Sequence, residues 1–390
     1  MAELRANWSY PTKIWFGAGR IAELPAACRE LGIGRPLLVT DAGLAKQPMI
    51  TAALQCCRAA GLHCELYADV RGNPVEANVH GGVGAYQAGG HDGVIAFGGG
   101  SALDAAKAVA LMVGQSRPIW DFEDREDWWT RADLDGIAPV VAVPTTAGTG
   151  SEVGRAAVIT DGRDHTKKII FHPKLMPGVV IADPELTLGL PRTVTAATGM
   201  DALSHNLEAY CSPPFHPMAA GIALEGVRLI KEWLPAACRD GHDLAARAHI
   251  LAAASMGATA FQRGLGAMHS LSHPCGALLD THHGLTNAVV MPYVLAFNRS
   301  AVERELTALA RYLDLPAPSG AAVIQWVLAL RQEIGIPHTL AELGVTEDLV
   351  PQLARMALID PSSGGNPIPL TEESLAALYR DAIAGRLPAD

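Results

Sequence analysis

No CxxC motif occurs in this 390-residue chain, and its seven cysteines are odd in number. Both facts argue against a disulfide framework and against a thiolate zinc site. Basic runs are also missing. Lys and Arg total 30 against 40 Asp and Glu, a formal net charge of −10, so neither nucleic acid nor an acidic membrane surface is expected as a partner. Gly, Pro or a charge interrupts each apolar run before it reaches membrane-spanning length. The opening MAELRANWSYPTKIWF lacks a basic stretch followed by an apolar core, so no signal peptide is read. What remains is an ordinary globular composition, 49% hydrophobic and 18% charged, at a length sufficient for two domains. A cytoplasmic protein is expected.

The first half alternates short apolar strands with Ala-rich helical segments. Strands are expected at 13–17, 35–41, 63–69, 92–100, 139–146, 156–161 and 178–183. Such alternation indicates a parallel or mixed sheet covered by helices. From Thr193 onward helical periodicity takes over. The expected organisation is an α/β nucleotide-binding domain over 1–188 and an all-helical domain over 189–390. PSSGGNPIP, 361–369, reads as an ordered turn or loop.

Three glycine-rich loops compete as phosphate sites. GAGRIA (17–22) matches G-x-G-x-x-A, and Asp41 ends the following strand at a suitable distance for a ribose-binding carboxylate. In a chain with 39 glycines that match is weak, and a tight turn explains it equally well. FGGGSALDAAK (97–107) follows the strand GVIAF and runs into a helix. Its consecutive glycines let backbone N–H groups approach a pyrophosphate at a helix N-terminus, and Ser101 is expected to cap that helix. PTTAGTGSE (144–152) offers Thr145, Thr146 and Thr149 after another strand. Two such loops on one sheet favour a nucleotide cofactor.

Histidine clusters in the second half. Asp201 and His205 are spaced i, i+4, as are His269 and His273, and His282 and His283 follow after a short glycine-containing stretch. Residues so spaced share a helix face. A carboxylate with imidazoles and no thiolate suits iron, zinc, manganese or cobalt. Histidines elsewhere, among them His91, His165, His172, His216 and His249, read as ordinary polar groups.

Taken together, KIWFGAG, LLVTDAGL, AFGGGSALDAAKAVA, VPTTAGTGSEV, ATGMDALSHNLEAY and HSLSHPCGALLDTHHGLTNAVVMPYVLAFN resemble the iron-containing (group III) alcohol dehydrogenase family over almost the whole length. The resemblance implies the dehydroquinate synthase-like fold, with the active site in a cleft between the two domains. It implies metal ligation by Asp201, His205, His269 and His283, and a proton-relay role for His273. It implies NAD contacts by Asp41, Asn73, Gly99, Gly100, Ser101, Thr145, Thr149 and Lys167, to which the loop itself adds Thr146, and it makes GAGRIA a decoy. Related zinc glycerol dehydrogenases lack the histidine four residues after the aspartate, so His205 favours Fe(II), with Zn(II) as the alternative. Asp41 favours NAD over NADP by repelling a 2′-phosphate. The expected activity is reversible hydride transfer between a small primary alcohol and NAD, in a homo-oligomer. The alternative substrate is an anionic hydroxyacid or semialdehyde of the 4-hydroxybutyrate type, with Arg155 holding its carboxylate through the guanidinium fork. A maleylacetate reductase and a non-redox relative of dehydroquinate synthase are the more distant readings.

Overall fold

The computed structural model describes residues 10, 12–163 and 166–387; the first nine residues and His165 lie outside them. The chain divides into two compact units. Residues 10–146 and 150–188 form one, and residues 147–149 join 189–390 in the other.

The first unit is built on a six-stranded sheet with parallel pairing throughout. Its strands are β1 (Lys13–Phe16), β2 (Pro36–Asp41), β3 (Glu65–Val70), β4 (Gly93–Gly98), β5 (Val140–Pro144) and β8 (Val179–Ala182), in the order β1-β8-β5-β4-β2-β3. The helices between them are α1 (Leu24–Glu30), α2 (Pro48–Ala59), α3 (Glu76–Gly89) and α4 (Gly100–Met112). β4, β5 and β8 are buried along their whole length, which is why they read as continuous apolar runs. Ile95, Phe97, Val141, Val143, Val179 and Ile181 pack with Leu24, Cys28, Ile50 and Cys57 of α1 and α2. Each such side chain contributes about 1.5–3 kcal/mol relative to exposure.

From β2 the chain steps out to the edge strand β3 and returns to β4 on the other side of β2. The loops leaving β2 and β4 therefore flank a topological switch point, where open α/β sheets bind ligands.

One expected strand, 156–161, is not part of this sheet. It is β6 (Ala156–Asp161), paired antiparallel with β7 (Thr166–Phe171). β7, sequence TKKIIF, was not anticipated. Its two lysines conceal the strand pattern, and its side chains are only partly covered apart from the buried Ile170.

The second unit is helical: α5 (Arg192–Cys211), α6 (Pro217–Arg239), α7 (Leu244–Ala260), α8 (Ala267–Leu279), α9 (His283–Tyr312), α10 (Gly320–Ile334), α11 (Val350–Leu358) and α12 (Glu372–Ala384). Residues 361–365, expected as part of a turn, form a short 3-10 helix. α5 is buried without a break from Thr195 to Cys211, although much of it is polar. Glycines on its neighbours make room for it. A Cβ on Gly257 of α7 would lie 2.9 Å from His205 Cβ, and one on Gly284 of α9 would lie 2.8 Å from Asp201 Cβ. The amide of Asn206 is held from its donor side: Nδ2 donates to Ala202 O at 2.8 Å and to Ala253 O at 3.1 Å.

Contrary to the expectation from sequence, residues 244–263 are long and apolar enough to match a membrane span by length and composition alone. α7 packs instead on α5 and α6. It carries a buried Arg247 that donates to Gly241 O, Thr195 Oγ1 and Leu190 O, the behaviour of a core helix.

Candidate metal centre and nucleotide loops

One turn of α5 separates Asp201 from His205, so both project from the same face. α8 contributes His269, and His283 is the first residue of α9. One ligand atom from each of the four lies within 4.8 Å of the others. Asp201, His205 and His269 are buried, at 2%, 5% and 1% exposure, while His283 is half-buried. The His205 and His269 rings stack with centroids 4.8 Å apart. His282 is exposed and takes no part.

Surrounding side chains orient these imidazoles. His269 Nδ1 donates to Glu208 Oε2 at 2.6 Å, and Met268 N donates to Glu208 Oε1 at the same distance. Ser272 Oγ donates to His283 O at 3.2 Å and accepts from His283 Nδ1 at 3.0 Å. Both rings therefore turn unprotonated Nε2 atoms inward, the arrangement a metal-binding histidine requires. Asn287 Nδ2 lies 2.9 Å from Asp201 Oδ1, 3.3 Å from His269 Nε2 and 3.2 Å from His283 Nε2. Three acceptors face one amide with two hydrogens, so at least one lone pair is left over for a cation.

Electrostatics point the same way. Burial pushes the His205 pKa down to about 4, keeping it neutral and able to ligate. Burial also opposes charge on His269, but Glu208, Asp201 and Asp360 outweigh it and raise its pKa. A buried or half-buried carboxylate trio around the rings favours a cation, and the donor set of one oxygen and three nitrogens fits iron or zinc. The residues present fit a divalent metal.

His273, on α8 one turn beyond His269, places its ring 5.2 Å from that of His283, stacked at 14°. Its Nδ1 lies 2.8 Å from Asp360 Oδ2. Burial pushes the Asp360 carboxyl up, but His273 and the Ser362 N–H more than offset this and hold it below the usual carboxylate range.

Sequence reasoning missed Glu208, Ser272, Asn287 and Asp360. Two of them had a signal: Glu208 continues the helix face of 201 and 205 at i+7, and Asn287 lies at i+4 from His283.

In the sheet unit, the loop after β4 turns sharply at Gly98, φ 147°, and α4 begins with Gly99 as its N-cap. Ser101 thus sits inside the first turn and does not cap the helix, contrary to expectation. A Cβ on Gly99 would meet Thr146 Cγ2 at 3.2 Å, so the GGGS loop and Thr146 are neighbours. Thr145 N donates to Gly98 O at 3.0 Å. Gly100 opens α4, and Thr149 falls in the helical unit.

Asp41 Oδ1 accepts from Gly43 N at 2.9 Å and from Leu44 N at 2.8 Å, leaving Oδ2 as its other acceptor. Asn73 has a positive φ of 50°, and Lys167 lies on β7 opposite Thr160. Arg155 precedes β6 with its guanidinium over the Phe171 ring, 5.5 Å from the centroid. It is close enough to Asp124 to oppose the rise that burial imposes on that carboxyl. α4 also carries a buried Lys107, whose Nζ donates to Ser151 O at 3.0 Å and to Ala156 O, with Asp104 at 3.3 Å.

At GAGRIA, the amides of Gly19 and Ile21 donate to Asp183 at 3.2 and 2.9 Å. Asp183 is fully buried, so an internal carboxylate occupies the place a phosphate would take.

Two family profiles match the chain. "Iron-containing alcohol dehydrogenase" matches residues 11–184, and "Fe-containing alcohol dehydrogenase family, C-terminal" matches residues 195–383. The chain is 41% identical over 381 residues to 4-hydroxybutyrate dehydrogenase of Cupriavidus necator, covering 95% of this chain and 97% of that protein. It is 34% identical to NAD-dependent methanol dehydrogenase of Bacillus methanolicus, covering 97% and 100%. Among solved structures, the crystal structure of a 1,3-propanediol oxidoreductase superposes with a TM-score of 0.92 at 33% identity, covering 97% of this chain and 100% of that one.

Proposed function

The chain belongs to the iron-containing alcohol dehydrogenase family and is an NAD-dependent oxidoreductase, and from that premise we propose that Asp201, His205, His269 and His283 hold Fe(II), with Zn(II) as the alternative. The convergence of their four ligand atoms within 4.8 Å carries this reading. Such a metal, when bound, supplies Lewis acidity to the substrate oxygen. The remaining work falls to the chain's own residues.

Gly99, Gly100 and Ser101 at the start of α4 cradle the NAD pyrophosphate. Thr145, Thr146, Thr149, Asn73 and Lys167 complete the cofactor contacts, and Asp41 Oδ2 accepts from the adenosine ribose. His273 takes the hydroxyl proton during oxidation and returns it during reduction. Bound NAD would supply the hydride acceptor for the carbinol carbon, and orientation is the protein's contribution.

The general substrate reading is a small primary alcohol and its aldehyde. A hydroxyacid of the 4-hydroxybutyrate type with its semialdehyde is the second reading, favoured by the 41% identity to the Cupriavidus enzyme. Arg155 is the candidate carboxylate contact, in competition with its neighbour Asp124. A cytoplasmic location, supported by seven free cysteines, belongs to the same proposal, as does the homo-oligomeric assembly that the family resemblance implies.

The test is NADH oxidation by an anaerobic, Fe(II)-loaded preparation across short aldehydes and ω-semialdehydes. Turnover that survives exhaustive chelation would overturn the metal assignment. A kcat/KM for semialdehydes no higher than for neutral aldehydes of equal length would overturn the anionic reading.

A further inference from the structure

Asp360 lies 87 residues from His273 in sequence, yet its Oδ2 stands 2.8 Å from His273 Nδ1. Both side chains are largely buried, at 14% exposure for His273 and 9% for Asp360. The other carboxylate oxygen is equally committed. Asp360 is the N-cap of the short 3-10 helix Pro361–Gly365, and its Oδ1 accepts from Ser362 N at 2.9 Å. The carboxylate is thus fixed to the backbone on one side and to the imidazole on the other. Stacking on His283 at 5.2 Å and 14° fixes the plane of the ring as well. An ionised carboxylate only accepts hydrogen bonds, so the proton between the pair belongs to His273 Nδ1. Nε2 is then the unprotonated atom.

We propose that Asp360 is a positioning residue for proton transfer, holding His273 in the Nδ1–H tautomer with Nε2 able to accept the substrate's hydroxyl proton. This rests on the proton-relay reading of His273. In the oxidative direction the O–H bond breaks and its proton forms an N–H bond at Nε2. The carbinol C–H bond breaks, with hydride going to nicotinamide C4. The products are the carbonyl, NADH and an imidazolium, which releases its proton to water. The Nδ1–H···Asp360 bond persists throughout and stabilises the imidazolium.

Asp360→Asn tests this cleanly. Asn caps helices as well as Asp does, so the Ser362 contact survives. The amide NH₂ then faces Nδ1 and forces the opposite tautomer, turning Nε2 into a donor. Asp360→Ser keeps a capping oxygen and leaves Nδ1 without its carboxylate. The expected result is a fall in kcat of about 10²-fold for Asp360→Asn and a smaller fall for Asp360→Ser. KM for NAD, metal content and NADH affinity measured by fluorescence should stay near wild type.

The double variant His273→Ala/Asp360→Asn should be no slower than His273→Ala alone, since effects acting through one group do not add. Turnover of Asp360→Asn within threefold of wild type would overturn the inference. A double variant slower than His273→Ala by the full Asp360 factor would do so too, as would metal content falling in step with kcat. Wild-type turnover in His273→Ala would instead bring down the proton-relay reading beneath it.

Discussion

Gly284 follows His283, the proposed ligand at the head of α9, and it is where α9 meets α5. A Cβ there would lie 2.4 Å from Ala197 O and 2.8 Å from Asp201 Cβ. Carbon atoms attract best at about 3.5–4.0 Å, so Gly284→Ala forces the two helices roughly 1 Å apart or strains them in place. Overpacking of this kind costs about 1–3 kcal/mol. For a unit of this size that corresponds to a drop in melting temperature of roughly 2–12 °C.

The same displacement separates Asp201 from His283. Metal sites tolerate shifts of only about 0.2 Å in ligand distance, so affinity should fall at least about tenfold, or ~1.4 kcal/mol. The measurements are thermal melts of apo and loaded protein, and metal titration against a competing chelator. Gly221→Ala is the control. Gly221 is exposed on α6 with nothing within 4 Å of its would-be Cβ, so alanine there should stabilise by about 0.4–1 kcal/mol. If Gly284→Ala melts and binds metal like wild type, the seating of α9 on α5 at this residue is wrong.

Glu208→Gln should weaken metal binding by about 10–100-fold, because its amide would donate to His269 Nδ1 and drive the proton onto Nε2; chelator competition reads this, and unchanged affinity would remove Glu208 from the site. Asp161 gives a pH prediction. The Arg163 guanidinium, helped by Lys168 and opposed by burial, holds its carboxyl well below the usual range. Its folded pKa is depressed, so its stabilisation is present above the unfolded value of about 3.9 and is lost as pH falls below it. In urea unfolding from pH 6 to 3, Asp161→Asn should lose stability at pH 6 and show a shallower decline toward acid. An acid limb as steep as wild type would refute the clamp.

The sheet was legible where burial is complete. VIAF in β4 and VVIA in β8 are apolar on both faces, and their type and position follow from that alone. β7 was not legible, because TKKIIF buries only Ile170 fully and two lysines break the alternation. The cap of α4 was misplaced for a local reason. Gly98, at φ 147°, adopts a conformation open to glycine, and the turn it makes puts the N-cap at Gly99 rather than at Ser101. At GAGRIA the G-x-G-x-x-A pattern correctly marks amides that bind an anion. Asp183, 162 residues from Ile21, is an anion that no local pattern could supply.

The metal cluster divides along the same line. Asp201 and His205 share a helix face at i, i+4, and Glu208 extends it at i+7, so α5 states its share of the site in its own spacing. A helix can do this because its geometry is fixed before any tertiary contact forms. What α9 adds depends on how closely it approaches α5, and that is set by Gly284, as Gly257 sets the approach of α7; the role of each is to have no side chain. Spacing gives no hint of such residues, since a glycine in a close helix contact and one on an exposed face look alike in the chain. Gly284 and Gly221 are that pair here. Asp360 is hidden for a different reason. Its partner is 87 residues away, and its local signal, an Asp-Pro helix start, is fully explained by capping Ser362. One oxygen accounts for the motif, and only the fold reveals the use of the other.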